Sequence, residues 1–336
     1  MGSDHITDFA SLEAVIGKLP GPRDLKVIDF LDAASLRWLQ TSPLLFASFG
    51  DAAGIGITLG GGEPGFVQAP DPRRLRIPLA LLDQPELARA GIGFGGLFLS
   101  PSLCETLRVN GRVASVAEGI AEIEVRECFL HCAKALMRSD FWKGDPGGDI
   151  PDQAAAFVGA SRFMALATVN PEGWADVSPK GDPRGTMLRM QDGDAWFADR
   201  PGNRRVDSFR NILAQPRVAA AVLMPGSTRI VLMSGRARIT TDAAMRAVFT
   251  VAERLPKLAT CIGQPSLQIQ DSAALARAQP WPAAPAAQDL DPAAIFKAHV
   301  LHSKSGGLVA GISRAALALP GLMEKTLKND YKKNLY

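Results

Sequence analysis

Two stretches in the second half of the chain have residue types that could bind an anion. The run SPKGDPRG at residues 178–185 places a serine and a lysine among turn-forming Gly and Pro residues. The run RPGNRRVDSFRN at residues 200–211 holds four arginines and leads from a Pro-Gly turn into a predicted helix. A helix N-terminus offers unpaired N–H groups and a positive dipole end, and guanidinium groups form charge-assisted bonds with phosphate oxygens. The pattern predicts a phosphate site, with a solvated basic turn as the alternative.

The elements around these runs are predicted to be β-strands. RFMALATV at residues 162–169 is an apolar run, NPEG is a turn, and WADVSPK at residues 174–180 alternates like a returning strand. TMLRM and AWFAD, joined by a turn at Asp192 and Gly193, predict a second hairpin. We expect this sheet to position both candidate runs.

In this order the elements resemble the pyridoxamine 5'-phosphate oxidase-like flavoproteins, which are FMN-binding split β-barrels. The resemblance covers most of residues 155–280 and is most specific in PGNRRVDSFRN. It implies FMN as the cofactor. The predicted phosphate ligands are Ser178, Lys180, Arg184, Arg200, Asn203, Arg204, Arg205 and Ser208. Asp207 would repel a phosphate and is interpreted as a helix N-cap or as the partner of an arginine.

Length and composition exclude several classes of protein. The chain has 336 residues, 47% of them hydrophobic and 21% charged, which favours two globular domains. A net charge of +3 gives no indication of nucleic-acid binding. No apolar run reaches the roughly 18 residues of a membrane span, and the first residues lack a signal-peptide pattern, so we predict a cytoplasmic protein.

The four cysteines predict no metal site. Cys104, Cys128, Cys132 and Cys261 form no CxxC pair, and only Cys132 has a neighbouring histidine, His131. Adjacent strand residues point to opposite faces, so these two side chains are not expected to share a metal. We predict free thiols.

The first half of the chain repeats the pattern of the second. LLFASFGDAAGIGITLGGGEPGF aligns with MALATVNPEGWADVSPKGDPRGTM, so that Gly65 matches Gly185 at an offset of 120 residues. Farther along, Arg112 matches Arg236 at an offset of 124, and Arg138 matches Arg277 at 139. The offset grows through insertions in the second copy, chiefly a helix predicted in TTDAAMRAVFTVAERL at residues 240–255. A repeat of this length indicates domain duplication.

The two copies keep different parts of the family pattern. Copy one has GGGEPG where copy two has SPKGDPRG, and lacks the arginine cluster. It keeps ETLRVNGR at residues 105–112 and HCAKALMRSDFW at residues 131–142, whereas Lys134 and His131 correspond to Ala273 and Gln270 in copy two. Each copy therefore holds half of a site.

In the family that the chain resembles, each FMN lies between two subunits. The resemblance implies one composite site inside a pseudo-dimer, with the phosphate held by copy two and the flavin ring bordered by copy one. The ring-side candidates are His131, Lys134, Arg138 and Trp142. The alternative is that HCAKALMRSDFW only packs, with Lys134 and Arg138 on one solvated helical face.

The predicted fold is mainly β with flanking helices, as two tandem split β-barrels that form an intramolecular pseudo-dimer and hence a monomer. The predicted boundaries are an N-terminal helical segment at 1–36, copy one at 37–143, a linker at 144–152, copy two at 153–282 and a helical tail at 283–336. A basic helix from about Leu322 is expected to dock on the barrels.

The resemblance implies an FMN-dependent oxidoreductase acting on a small-molecule substrate, with NAD(P)H or oxygen as the electron partner. No membrane or nucleic-acid partner is expected, and no residue is assigned as catalytic, because a flavin carries the chemistry itself. The alternatives are a non-catalytic flavin-binding or sensing protein, a protein with another cofactor such as a deazaflavin, and a haem-binding or haem-degrading protein. For haem, the candidate axial ligands are His131, His299 and His302.

Overall fold

The computed structural model describes residues 4–17, 25–131, 133–202, 206–303 and 335–336. This part of the chain is mainly β, with eight short α-helices between the strands or flanking them. The strands are β1 (His5–Ile6), β2 (Leu44–Asp51), β3 (Gly54–Gly61), β4 (Gln68–Asp71), β5 (Arg74–Pro78), β6 (Gly93–Leu99), β7 (Thr106–Ala117), β8 (Ile120–His131), β9 (Phe163–Val169), β10 (Ala175–Gly181), β11 (Arg189–Gln191), β12 (Asp194–Ala198), β13 (Arg217–Leu223), β14 (Arg229–Thr240) and β15 (Ala259–Asp271). The helices are α1 (Phe9–Ile16), α2 (Ala33–Thr41), α3 (Lys134–Arg138), α4 (Ala154–Ala160), α5 (Asp207–Ala214), α6 (Ala243–Ala247), α7 (Ala273–Ala278) and α8 (Pro292–His302).

The strands form two sheets with the same topology. The first has the order β3-β2-β6-β7-β8-β5-β4, and the second has the order β10-β9-β13-β14-β15-β12-β11. Apart from β1, which pairs with β14, each strand of the second sheet is the seventh after its counterpart in the first. Neighbouring strands are antiparallel in both sheets. The fold is therefore a pair of tandem split β-barrels, as the sequence repeat predicted.

The central strands are buried on both faces, which explains their continuous apolar sequences. In β2, Leu45 and Ala47 face the core of the first barrel, whereas Leu44 and Phe46 face a core that lies between the barrels. The same alternation holds for β9, β6 and β13. Because side chains alternate along a strand, one apolar run supplies both the barrel interior and the contact with the other barrel.

The contact between the barrels has a pseudo-twofold arrangement. Arg138 of α3 donates from Nε to the carbonyl of Gly181 on β10 at 2.8 Å, and Arg277 of α7 donates to the carbonyl of Gly61 on β3 at 2.9 Å. A Cβ added at Gly181 would overlap the carbonyl oxygen of Ala135, and one added at Gly61 would overlap that of Ala274. Each barrel thus ends in a helix that docks on the second strand of the other.

Three details differ from the sequence-based expectations. The N-terminal segment is not only helical, because β1 pairs with β14 of the second sheet, and α2 extends past the predicted boundary at residue 36. The helix predicted at residues 240–255 is limited to α6. It ends before Phe249, whose buried ring joins Trp196 and Cys261, and a turn with positive φ at Ala252 and Glu253 follows.

Helix α8 is fixed to the first barrel through Asp32, the N-cap of α2. Its His299 is fully buried, with Nε2 3.4 Å from the Asp32 carboxylate and 3.1 Å from Ser35 Oγ. Burial raises the pKa of Asp32, but the hydrogen bonds from His299 and the Ser35 N–H outweigh it and lower that pKa to about 2. The basic helix predicted from Leu322 lies outside the described residues. None of the helices in the described ranges has the length and apolar composition needed to cross a membrane.

We expect Gly61→Ala to lower the free energy of unfolding by roughly 1–3 kcal/mol, because α7 and β3 must move apart to admit the new methyl group. Gly54→Ala is the matched control, since a Cβ at this other end of β3 meets no described atom within 4 Å. Chemical denaturation of both variants measures the difference. Equal stabilities would contradict the docking of α7 on β3.

Candidate functional site

A cavity of about 400 Å³ lies where the two barrels meet α3 and the start of α5. Small-molecule sites span roughly 300–1,000 Å³, so its size suits a ligand rather than a few waters. Its described lining contains seven Lys or Arg residues and three Asp residues. The cations are Arg108, Lys134, Arg138, Lys180, Arg200, Arg254 and Lys257, and the acids are Asp182, Asp199 and Asp207. The excess of positive charge favours an anionic ligand.

Arg108 of β7 crosses from the first barrel into the second. It is 1% exposed, and its Nη1 lies 2.7 Å from Asp176 Oδ1 on β10. Its Nη2 donates to Ser178 Oγ at 2.9 Å, and its guanidinium lies over the Phe129 ring. A buried charge is tolerated only when it is paired and hydrogen-bonded. The pair therefore fixes the relative position of β7 and β10 beside the cavity.

The two predicted serine ligands belong to the same network. Ser208, at the start of α5, donates from Oγ to Ser178 Oγ at 2.9 Å. Asp207 lies 3.7 Å from Arg108 Nη1 and so is the partner of an arginine, while Val206 holds the N-cap position. Both serines line the cavity, but their hydroxyl groups also tie α5 to β10.

Lys180 and Asp199 both line the cavity and interact electrostatically. Burial lowers the pKa of Lys180, with Asp199 opposing the shift. Burial also raises the pKa of Asp199 to about 6, against the attraction of Lys180, Arg138 and Arg200. Each residue thus favours the charged state of the other in surroundings that disfavour charge.

Asp182 holds an arginine from each barrel. Its carboxylate is 2% exposed and lies 3.3 Å from Arg138 Nε and 2.6 Å from Arg200 Nε. Among the described residues, the buried Nη2 of Arg200 has no hydrogen-bond partner. Because buried donors are normally satisfied, this N–H is suited to an acceptor on a ligand.

The N-terminus of α5 also borders the cavity, through Val206, Ser208 and Phe209. Val206 has φ 54°, a left-handed conformation that is rare for a β-branched residue and is often found at functional sites. The first N–H groups of a helix have no acceptor within the helix and attract anions. The structure does not describe Asn203, Arg204 and Arg205, which precede this turn.

Seven of the twelve predicted site residues line the cavity. They are Ser178, Lys180, Arg200, Ser208, His131, Lys134 and Arg138. Arg184 does not line it, because its guanidinium donates to the carbonyls of Pro146 and Asp149 in the linker. Trp142 does not line it either, because its indole packs on Phe141 and donates to the Leu103 carbonyl. The remaining three, Asn203, Arg204 and Arg205, lie outside the described residues.

Only one of the three histidines considered as haem ligands borders the cavity. His131, at the end of β8, lines it. His299 is enclosed beside Asp32, and His302 lies on the same helix next to Asp32 and Phe30. Within the described ranges, no three His, Cys, Asp or Glu side chains gather as possible metal ligands.

Several cavity residues were not identified from the sequence. Arg108 lies in ETLRVNGR, a motif that was recognised, but its inward direction on β7 was not inferred. Asp199 directly follows β12 and carried no signal beyond its position beside Arg200. Tyr336 also lines the cavity, and no local pattern could have indicated a contact between residues so distant in sequence.

At the pseudo-symmetric location in the other half of the molecule, the polar groups are hydrogen-bonded to other protein groups. The Asp83 carboxylate accepts hydrogen bonds from Ser272 Oγ and the Ala274 N–H at the start of α7. Arg277 donates to the carbonyls of Gly61 and Leu81. By the repeat register, Leu232 occupies the place of Arg108, and short 3-10 turns at Leu79–Leu81 and Pro85–Leu87 replace α5. The charged network therefore occurs once in the described structure.

Comparison with solved structures gives weak similarities. HupZ from Group A Streptococcus is 17% identical over 38% of this chain and 98% of its own, with a TM-score of 0.30. A protein described as F420 Reductase is 18% identical over 36% and 98%, with a TM-score of 0.27. General Stress Protein 26 from Bacillus anthracis is 14% identical over 35% and 95%, with a TM-score of 0.28. At these scores the likenesses carry no inference about this chain.

No curated protein matches the sequence significantly. A family model described as Pyridoxamine 5'-phosphate oxidase matches residues 150–279. This range includes every strand of the second sheet except β1, together with Lys180, Arg200 and Ser208 of the cavity wall. The second barrel of the chain is therefore a pyridoxamine 5'-phosphate oxidase-like split barrel.

Proposed function

We propose that the protein is an FMN-dependent oxidoreductase that binds one FMN in the cavity between its barrels. The proposal rests on the observation that both barrels supply cationic side chains to the cavity. Arg108, Lys134 and Arg138 precede the linker, whereas Lys180 and Arg200 follow it. Neither barrel alone would supply this set.

The phosphate end of FMN would lie against copy two. Lys180, the Nη2 group of Arg200, which has no partner among the described residues, and the N-terminus of α5 are the groups best suited to phosphate oxygens. Asn203, Arg204 and Arg205 immediately precede α5 and are part of this proposal. Ser178 and Ser208 would fix the position of α5 relative to β10, and could also donate to the phosphate.

The flavin ring would lie toward copy one. His131, Lys134 and Arg138 are the ring-side groups, and Lys134 is only 2% exposed. A fixed cation near the ring would stabilise negative charge that develops there. Bound FMN supplies the electron-transfer chemistry, while these residues bind it, orient it and exclude water. A small-molecule substrate, with NAD(P)H or oxygen as the electron partner, completes the proposal.

The absorption spectrum of purified protein, after reconstitution with FMN, tests the cofactor. Flavin absorption bands that shift on binding support the proposal, and a Soret band in the isolated protein would favour haem instead. Bleaching of the bound flavin by NADH or NADPH, with substrate screening, then tests for an enzyme. A flavin that binds but cannot be reduced by any donor would favour a sensing role.

We expect one FMN per chain, because at the pseudo-symmetric location Asp83 and Arg277 bind protein groups and the repeat register replaces Arg108 by Leu232. Flavin released by denaturation, measured against protein concentration, gives the ratio. Asp83→Asn should leave this ratio unchanged. A ratio near two would contradict the composite site.

Lys180→Met should weaken FMN binding by roughly ten- to a hundredfold, the loss expected for one charge-assisted interaction. Lys143→Met is the matched control, because that lysine is exposed and pairs with Asp140 at 2.8 Å. Titration of flavin fluorescence measures both affinities. Similar weakening in the two variants would indicate a general charge effect and contradict a phosphate contact at Lys180.

The raised pKa of Asp199 predicts a pH-dependent stability. The pKa of an unfolded Asp is about 3.9, whereas burial raises the pKa of Asp199 in the fold to about 6, so between these values the folded state binds more protons. The Asp199 contribution to the free energy of unfolding must then fall as pH rises from about 4 to 6. Asp199→Asn should therefore become more stable than wild type, in the ligand-free protein, as pH increases through this window.

Asp194→Asn provides a control of opposite sign. Hydrogen bonds from the Gln264 N–H and from Arg238 hold the pKa of Asp194 below its usual value. Its contribution is therefore present above the unfolded pKa and lost at lower pH, so Asp194→Asn should be less stable than wild type near neutrality. Thermal denaturation across pH measures the stability of both variants. If both stabilities change with pH in the same way relative to wild type, the raised pKa assigned to Asp199 is wrong.

A further inference from the structure

Leu335 and Tyr336, the last two residues of the sequence, lie at the cavity between the barrels. Tyr336 is half-buried and forms part of the cavity lining. The Leu335 carbonyl accepts a hydrogen bond from Arg138 Nη1 at 2.8 Å. The Arg200 guanidinium lies 5.7 Å from the centre of the Tyr336 ring, within reach of a cation–π contact.

These two contacts involve one arginine from each barrel. Arg138 belongs to α3 of the first barrel, and Arg200 follows β12 of the second. Asp182 binds both guanidinium groups through their Nε atoms. The Nη1 atom of Arg138 is directed at the Leu335 carbonyl. Leu335 and Tyr336 therefore contact both barrels at the two arginines that Asp182 binds.

The volume of the cavity indicates whether Tyr336 borders the ligand site, as a wall, or occupies it, as a plug. The volume of about 400 Å³ is present with Tyr336 in place, as one of the lining residues. A ligand within the usual size range of small-molecule sites therefore needs no displacement of the tyrosine. A plug would instead occupy the volume and leave little space beside it.

We propose that Tyr336 is a wall of the ligand site, closing the cavity over the bound cofactor and contacting it with its aromatic ring. This inference rests on the proposed function and extends it to a residue outside both barrels. Aromatic rings prefer to pack against flat ring systems, and a tyrosine also presents a hydroxyl to polar groups. Burial raises the pKa of Tyr336, so the hydroxyl stays protonated and able to donate at neutral pH.

The first experiment measures the position of residue 336 without any ligand. In Tyr336→Cys protein, maleimide labelling is followed by mass spectrometry of the peptide that carries residue 336. We expect slow labelling, which Arg138→Gln accelerates by removing the bond to Leu335. Arg277→Gln is the matched control, because this pseudo-symmetric arginine donates to Gly61 and Leu81 instead. Fast labelling in the parent variant, or equal acceleration by both substitutions, would overturn the docking.

The second experiment measures FMN affinity by fluorescence titration of the full-length protein. Tyr336→Ala should weaken binding by roughly three- to tenfold, the factor expected for one aromatic contact. Tyr336→Phe should restore most of the affinity, because it keeps the ring. FMN should also slow the labelling of the Tyr336→Cys variant by covering the thiol.

The outcomes separate the possible explanations. Unchanged FMN affinity in Tyr336→Ala would show that the ring does not contact the cofactor. Tighter binding, together with faster labelling in the presence of FMN, would show that Tyr336 competes with the ligand as a plug. Both results overturn the proposal. If wild-type protein binds no FMN at all, the proposed function fails, and the labelling comparison alone decides whether Tyr336 closes the cavity.

Discussion

The structure depends on burying strands on both of their faces. The central strands β2, β6, β9 and β13 alternate between residues that fill their own barrel and residues that fill the core between the barrels. At about 25 cal/mol per Å² of buried apolar surface, such a second face contributes strongly to stability when it is covered and promotes association when it is exposed. The covalent repeat covers it within one chain. The cavity exists because the barrels meet in this way, so the site and the interface are formed by the same constraint.

The buried ion pairs Arg108–Asp176 and Arg138–Asp182 lie on the side of the interface that holds the cavity. Arg108 and Asp176 form a buried pair whose charges are compensated by Ser178, Asn110 and each other. Replacing such a pair by apolar residues is often neutral or stabilising. At the pseudo-symmetric position the repeat register places Leu232 where the first barrel has Arg108. A buried ion pair is weak evidence for stability. Its presence beside the cavity is better explained by the need to position β10 and α5, which carry Lys180 and Ser208.

The sequence was sufficient to predict the fold and to name seven of the residues that line the cavity. Continuous apolar strands, turn residues and the repeat register are local or periodic signals, and the register pairs Arg138 with Arg277 and Gly61 with Gly181, as the docked helices require. The direction in which side chains point was harder to predict from the sequence. Arg184 and Trp142 belong to recognised motifs but bind backbone carbonyls away from the cavity. Tyr336 approaches Arg138 and Arg200 only through the tertiary fold, so periodicity and spacing carry no information about it.

Duplication in one chain allows the two halves of a symmetric interface to diverge. In a homodimer every substitution appears twice, so a residue cannot be optimised for one site without changing the other. Here α3 and α7 dock by the same arginine-to-carbonyl bond, yet their surroundings differ. At α7, the Asp83 carboxylate accepts a hydrogen bond from the Ala274 N–H at the helix start, and Arg277 donates to the carbonyls of Gly61 on β3 and of Leu81. At α3, Asp182 holds Arg138 beside a cavity that retains an excess of cations. The two locations therefore differ in chemistry: hydrogen bonds between protein groups dominate the one at α7, whereas a cavity with an excess of cations borders the one at α3.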